Sequence, residues 1–320
     1  MGLSIIIVSW NVRNKLRENL AALFAGMGNL DLEIFVVDNN SSDGSVEMVK
    51  KEFPQVKLIV NKENLGFAKA NNQAIKKAKG EFILLLNPDM QVFPDTLEKI
   101  VKWMKDNKQA RVATCQLVSE RGETIKIVRQ FPTVWDQLAI ILKLPHIFPG
   151  ILNKYLRSDF DYSRAQKVDS IRGSFFMIRR TLIPSPSPTA SLAGEGRLID
   201  DDVKTVLSPT TAGVGEGQGE GLLDERYFIW FEEVDFCKQA AKTGGQIWYT
   251  PVAKCTDYVG QSFEKISSLK KQIYFRDSML KYFKKWHPVW QYWFLKLAWL
   301  VGMAITWAGT KLNIKSEAKT

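Results

Sequence analysis

The first hundred residues predict an α/β fold: a mostly parallel central sheet flanked by helices. Three observations lead there. Short apolar runs alternate with stretches whose apolar residues recur at helical spacing. Two of those runs stop at a carboxylate set in a polar turn, Asp38 and Asp89. One run, Phe82–Leu86, is apolar at every position, as a strand covered on both faces must be. Right-handed crossovers then gather the polar stops along one sheet edge, where open α/β sheets take their ligands.

The elements follow in order. Ser4–Ser9 is a buried strand, and the helix near Lys15–Ala25 carries Leu16, Leu20, Leu23 and Phe24 on one face. Glu33–Val37 is a second strand, stopping at Asp38-Asn39-Asn40-Ser41-Ser42-Asp43-Gly44. A short helix turns Val46, Val49 and Phe53 inward and ends before Pro54. Val56–Val60 is a third strand, and Gly66–Lys79 a helix burying Phe67, Ala70, Ala74 and Ala78. Asn87-Pro88 ends the Phe82–Leu86 strand, because proline cannot donate to a ladder, and leaves Asp89 beyond its carboxyl end. The next helix opens with Asp95…Glu98, the pattern of a capping box. Ala110–Val118 and Thr124–Arg129 flank Glu120-Arg121-Gly122 as a hairpin or two edge strands. The stretch 131–161 holds no sustained period and reads as irregular helix and loop; Arg172–Arg180 is again a strand. Residues 182–221 are a Pro-, Ser- and Gly-rich insertion of about forty residues. After it come an aromatic strand, Tyr227–Phe231, a helix over Glu232–Lys242 stopped by Gly244-Gly245, and a strand Gln246–Thr250.

Composition narrows the partners. Three well-separated cysteines offer no metal or redox spacing, which fits a reducing compartment. Leu3–Val8 is too short and lacks the basic flank of a secretory signal. The net charge of +10 is concentrated late in the chain: seven Lys/Arg stand against Asp277 alone between Lys265 and Lys285. That segment leads into the Trp-rich apolar tract Pro288–Gly309, so a membrane surface is favoured over nucleic acid as its partner. The tract admits an interfacial or re-entrant helix, a single span or an ordinary packed helix. The chain is thus expected to divide into an α/β region, 1–265, and a membrane-associated segment, 266–320.

Four groups of residues could carry chemistry. Asp89 is placed for a divalent metal on a phosphorylated substrate, or is simply part of an Asx-type turn. Asp38 could accept from a nucleobase imide or a ribose hydroxyl, leaving Ser42 or Asp43 to cap the following helix. Glu232 and Glu233 open a helix, where acids complement the dipole; one facing a cleft could also serve as a general base. Asp200-Asp201-Asp202 lies in the insertion and reads as a solvated charge run. No Gly-x-Gly-x-x-Gly follows a strand and there is no P-loop, which excludes the common dinucleotide and triphosphate folds. With two histidines in unrelated segments, His146 and His287, histidine-based chemistry is excluded too.

Six motifs in order resemble family-2, GT-A-fold glycosyltransferases, especially their rhamnosyltransferase-like branch. They are Ile-Val-Ser-Trp-Asn (7–11), Val-Val-Asp-Asn-Asn-Ser-Ser-Asp-Gly-Ser (36–45), Asn-Leu-Gly-Phe-Ala-Lys-Ala-Asn-Asn (64–72), Leu-Leu-Asn-Pro-Asp (85–89), Arg-Gly-Ser-Phe-Phe-Met-Ile-Arg-Arg (172–180) and the run 224–237 containing Phe-Glu-Glu-Val-Asp. The resemblance implies that Asp38 binds the nucleotide base, with Ser9 and Trp10 beside it, and that Gly66, Asn71 and Asn72 lie near the nucleotide-sugar. It sets Asn87-Pro88-Asp89 in place of an Asp-x-Asp metal motif, with Asp89 the metal-proximal carboxylate. Glu233 stands where relatives carry the Asp proposed as base, preceded by Glu232. Asp257 stands where relatives often have a histidine metal ligand, and oxygen donors suit Mg²⁺ or Mn²⁺.

The expectation is therefore a metal-dependent inverting glycosyltransferase on the cytoplasmic face of a membrane, peripheral or single-span. It would move a sugar such as rhamnose from a nucleoside-diphosphate-sugar to a lipid-linked or glycan acceptor in cell-envelope synthesis. The rival is a catalytically silent sugar-nucleotide-binding or scaffold protein, since Asn87 and Glu233 depart from the family pattern.

Overall fold

The computed structural model describes residues 2–180, 222–258 and 267–317. The insertion, its three aspartates and Gly260–Ser262 lie outside the described residues.

The first half alternates as the apolar pattern requires: β1 (Leu3–Ser9), α1 (Arg13–Gly26), β2 (Leu32–Asp38), α2 (Ser45–Glu52), β3 (Lys57–Val60), α3 (Phe67–Ile75), β4 (Phe82–Leu86), β5 (Met90–Val92) and α4 (Thr96–Asp106). It continues with β6 (Ala110–Val118), β7 (Val128–Arg129), α5 (Val134–Ile141), β8 (Gln166–Val168), β9 (Ser170–Ile171) and β10 (Phe175–Arg179). Beyond the insertion come α6 (Glu232–Lys242), β11 (Gln246–Asp257), α7 (Ser268–Trp286) and α8 (Val289–Glu317).

Nine strands form one sheet in the order β3-β2-β1-β4-β10-β6-β11-β5, with β8 added on β11. β1, β2, β3, β4, β6 and β11 share a direction, and β10, β5 and β8 run against it. The expected mostly parallel sheet is present. All five residues of β4 are buried, because neighbours on both sides and helices on both faces leave no route to water. Since β10 is antiparallel, its first residues lie at the same edge as the last residues of β1, β2 and β4.

Several local expectations need correction. Tyr227–Phe231 is no strand: its backbone bends throughout, with Trp230 at φ 63° and Phe231 at φ 68°. Its aromatics are core anchors, not ladder residues. Asp95 precedes α4 without capping it; its carboxylate pairs with Lys99 instead. The capping box occurs at α5, where Thr133 and Asp136 bond reciprocally, inside a stretch that reads as irregular. Thr124–Arg129 supplies only a single bridge to Val118 and the short β7. The strand expected over Gln246–Thr250 continues to Asp257, and that extension carries Asp257 to the functional edge.

The end of the chain departs most. No helix among the described residues is long and apolar enough to cross a membrane. Instead α7 and α8 pack with α5 and the 227–231 turn around a second core containing Tyr227, Phe231, Met279, Tyr282, Phe283, Leu295 and Trp299. Part of the basic run faces protein. Lys285 Nζ sits between two fully buried carboxylates, 2.9 Å from Asp224 and 2.8 Å from Asp235. Burial would raise the Asp224 pKa, but hydrogen bonds from Arg226 and Lys285 outweigh it and hold the carboxyl well below the usual range. Trp286 Nε1 donates to Asp235 at 2.6 Å, and Lys281 Nζ to the Arg226 carbonyl at 2.6 Å.

Removing one partner of a buried ion pair leaves an uncompensated charge, at a cost of about 3–5 kcal/mol. Lys285→Met is expected to lower stability by that amount in chemical denaturation. Lys281→Met, which loses an exposed bond to a carbonyl, should cost under about 1 kcal/mol. Equal losses would show that Lys285 is not the clamp.

Candidate active site

Ser9 and Asp38 end β1 and β2 and lie opposite one another in register. Both are buried, at 0% and 1% exposure. Asp38 Oδ2 accepts the Ser41 N–H at 2.9 Å, whereas Oδ1 and the Ser9 hydroxyl have no hydrogen-bond partner among the described residues. A buried acceptor left so costs about 1–3 kcal/mol, which a ligand's donor would recover. The surrounding loops are laced together. Asn11, at φ 55°, accepts the Ser42 N–H at 2.8 Å and donates its own N–H to Ser41 Oγ at 2.9 Å. Left-handed Gly44 occupies the cap position before α2, and the Asp43 carboxylate accepts the first helical N–H, from Ser45, at 3.1 Å as well as the Arg13 N–H at 2.8 Å. Trp10 flanks this floor, half-buried.

Gly66 precedes α3 at φ 80°, and a Cβ there would lie 2.4 Å from the Phe228 carbonyl oxygen. The adjoining Phe67 N–H donates to that same carbonyl at 2.7 Å. Asn39 reaches the Gly66 carbonyl at 3.1 Å, so the Asp38 loop and the Gly66 turn are one unit. Asn71 spends its amide on the Phe67 carbonyl, and its Oδ1 has no partner among the described residues. Asn72 is a clamp. Its Nδ2 donates to the Leu223 carbonyl at 2.8 Å and its Oδ1 accepts the Leu223 N–H at 3.0 Å. Its amide fixes the return of the chain and presents no group to the cleft.

The Asn87-Pro88-Asp89 turn is held from three sides. Asn87 donates its N–H to the Ser174 carbonyl at 2.9 Å, and Tyr258 donates to the Asp89 carbonyl at 3.1 Å. Buried Asn19 donates to the carbonyls of Asn87 (3.1 Å) and Met90 (2.7 Å). Because Met90 pairs with Asp257, the two aspartates arrive together, each 5% exposed. Asp257 Oδ2 faces Arg172 Nη1 and Ser174 Oγ, both at 3.4 Å. Among the described residues no group of three or more His, Cys, Asp or Glu side chains forms a metal cage. Two hard carboxylates at one turn therefore fit a cation that brings its remaining oxygen ligands with it, a diphosphate and water, as Mg²⁺ commonly does.

Glu232 and Glu233 begin α6 directly after the two left-handed aromatics. Such conformations cost on the order of 1–3 kcal/mol each. They are held by Ser278 Oγ, which donates to the Ile229 carbonyl at 2.7 Å, and by Phe231 packing 5.6 Å from Phe275 and 5.5 Å from Tyr282. Glu232 is 4% exposed; Glu233 is more open and lies against Gly173. The Oε2 atom of each has no hydrogen-bond partner among the described residues. Burial raises the pKa of both. The charge of Glu233 raises Glu232 further, while the Arg172 guanidinium pulls Glu233 back down. Glu233 is the more open of the two, and the Arg172 charge favours its carboxylate form, as a general base requires.

Three neighbours escaped the sequence reading. Arg172 lies between Asp257 and Glu233. Tyr155, pushed up to about 12 by burial with Glu233 adding to it, keeps its hydroxyl proton beside the base. Arg129, lowered by burial, adjoins Tyr155 and Arg172. Arg172 opens a motif visible in the sequence; Tyr155 sits in the aperiodic 131–161 stretch and had no signal.

A carboxyl whose folded pKa lies above its unfolded value stabilises the fold fully below the unfolded value, and loses that contribution as pH rises through the folded one. Glu232→Gln is therefore expected to raise the melting temperature at pH 8, by roughly 3 °C per kcal/mol relieved, and to give no gain at pH 4. A difference that does not vary with pH in scanning fluorimetry would refute an ionisation cost at Glu232.

Residues 4–184 match the sequence model described as Glycosyl transferase family 2. An uncharacterized glycosyltransferase of Bacillus subtilis, YfnE, is 31% identical over 105 residues, covering 32% of this chain and 26% of that protein. The dolichol-phosphate mannosyltransferase of Saccharomyces cerevisiae is 30% identical over 110 residues, covering 32% of this chain and 41% of that one. The chain thus spans less than half the length of these two relatives. The mannosyltransferase PcManGT from Pyrobaculum calidifontis, solved in complex with GDP-Man and Mn²⁺, superposes with a TM-score of 0.53 at 17% identity, over 98% of this chain and 80% of its own; the likeness shows a shared fold.

Proposed function

This chain belongs to glycosyl transferase family 2, and we propose that it is an inverting, metal-assisted glycosyltransferase. It takes a sugar, rhamnose on the pattern of its motifs, from a nucleoside-diphosphate donor to a hydroxyl of a lipid-linked or polysaccharide acceptor. The work is done peripherally, on the cytoplasmic face of a membrane, in cell-envelope glycan synthesis. One observation carries this reading: a single sheet edge holds Asp38, Asp89 and Asp257, with Glu233 beside Gly173 and Arg172 at that edge.

In this reading Asp38 Oδ1 and the Ser9 hydroxyl receive the donors of the base or ribose, with Trp10 flanking them. Gly66 allows the backbone to pass close beneath the nucleotide-sugar, and Asn71 supplies a free amide oxygen nearby. Asp89 and Asp257 would hold Mg²⁺ or Mn²⁺. When bound, the cation neutralises the charge that grows on the leaving diphosphate. Arg172 adds a fixed positive charge on the same side. Ionised Glu233 takes the acceptor hydroxyl's proton as that oxygen attacks the anomeric carbon opposite the diphosphate. The new C–O bond forms while the sugar–phosphate bond breaks, its electron pair leaving on the nucleoside diphosphate. Burial, with the Glu233 charge adding to it, raises the Glu232 pKa and disfavours a second charge beside the phosphates.

Glu233→Gln should keep nucleotide-diphosphate affinity within about twofold and lower turnover by roughly 10²–10⁴. Retained turnover, or an absence of turnover in the unaltered chain with any donor, would favour a silent binder. The acid limb of the rate–pH profile is expected above the ordinary carboxylate value of 4.5. Arg172→Met should move that limb higher, because it removes the charge that lowers Glu233.

Nucleoside diphosphates should raise the melting temperature more with Mn²⁺ than with EDTA, and Asp89→Asn should abolish the metal-dependent increment while sparing the rest. An increment that survives Asp89→Asn would assign the cation elsewhere.

A further inference from the structure

One layer behind the strained turn, α5, α7 and α8 enclose a cavity of about 210 Å³. Its wall is apolar, with Ile141, Phe275, Trp299 and Met303, yet its lining also includes Lys143 and Lys271. Neither lysine is in an ion pair among the described residues. Lys143 holds its place at a cost: it leaves α5 at φ 56°, a conformation that suits glycine or asparagine better. The outer side of the same layer is exposed and apolar, with Trp135 65%, Trp293 58%, Leu297 65% and Leu300 66% accessible. Lys296 stands 4.7 Å over the Trp293 ring and is the only charged residue of the tract Pro288–Gly309. Asp277 and Glu317 are the only acids between residues 266 and 320.

We propose that this cavity is a binding site for an anionic membrane lipid, whose acyl chain enters between α5 and α8 while its phosphate lies against Lys143 and Lys271. The proposal rests on the membrane-face reading above and names where and by what chemistry the contact is made. Charge complementarity selects the occupant. A second copy of this chain would bring the same lysine-rich helices against themselves, whereas an anionic headgroup neutralises both lysines as its tail fills an apolar slot. Phe275, which lines the cavity, packs on Phe231, the residue preceding Glu232. A seated lipid therefore stiffens the wall on which the catalytic acids are mounted.

The test is co-sedimentation of the full chain with phosphatidylcholine vesicles, with and without phosphatidylglycerol. The chain should bind the phosphatidylglycerol vesicles at least about tenfold more tightly. Lys143→Glu with Lys271→Glu should remove that advantage, and Gln272→Trp, which fills the slot without changing charge, should weaken it severalfold. Lys50→Glu with Lys51→Glu, an equal charge change on exposed α2, should alter binding less than about twofold. Unchanged melting temperatures and nucleotide shifts keep misfolding from imitating the result. If Leu297→Glu abolishes vesicle binding but the Lys143/Lys271 variant binds like the parent, the cavity proposal is overturned and membrane attachment stands. If the parent binds no vesicles, or sediments as a dimer through this face, both are overturned.

Discussion

The buried ion bridge Asp224–Lys285–Asp235 holds together the part of the molecule that carries the two candidate glutamates. Two carboxylates at 0% exposure share one ammonium. Between them in sequence lie the aromatic turn and both glutamates. Two left-handed aromatics in a row are not a conformation a free chain would keep. They persist because the segment is pinned at each end by the same lysine, supported from α7 by Ser278 and Lys281, and filled from behind by Phe275 and Tyr282. The turn in turn aims Glu233 at Gly173. The C-terminal helices are thus part of the scaffold of the site as well as a surface.

The other half of the site comes from topology. β1, β2 and β4 deliver Ser9, Asp38 and the Asn87–Asp89 turn by ending together, and β10, running against them, brings Arg172 and Ser174 to the same edge from the opposite direction. β11 is long enough to pair with β6, β8 and β5, and its far end supplies Asp257. Charges of both signs are interleaved there. Asp38, Asp89 and Asp257 suit donors and cations, Arg172 suits an anion, and the raised glutamates suit a proton. In the proposed reaction the nucleotide-sugar would bring the donors, the cation and the anion, and the acceptor hydroxyl the proton.

How much of this was legible depended on the range of the interaction. The β–α alternation, the apolar β4 and the stops at Asp38 and Asp89 are local patterns, and the sequence showed them directly. Features that depend on distant partners were hidden. Tyr227–Phe231 has the composition of a strand, but tertiary packing bends it into a turn. Asn72 looks like a ligand group until Leu223, brought back across the fold, takes its amide. Asp95 and Glu98 have capping-box spacing, yet Lys99 captures the aspartate, whereas the box at Thr133 and Asp136 uses Asp at a position where the usual pattern has Glu or Gln. Lys285 reads as one more surface charge of the basic run because Asp224 and Asp235, its partners, lie 61 and 50 positions earlier.

The chain leaves the framework at Arg180, whose N–H is fixed to the Glu81 carbonyl, and rejoins it at Leu223, fixed on both sides by Asn72. Both gateposts belong to elements set elsewhere, by β4 and α3. The distance to be bridged is therefore constant whatever the length of chain that bridges it. The two anchors, one on the sheet and one on α3, therefore keep their separation through contacts of their own, and a change in the sequence between them leaves those contacts in place.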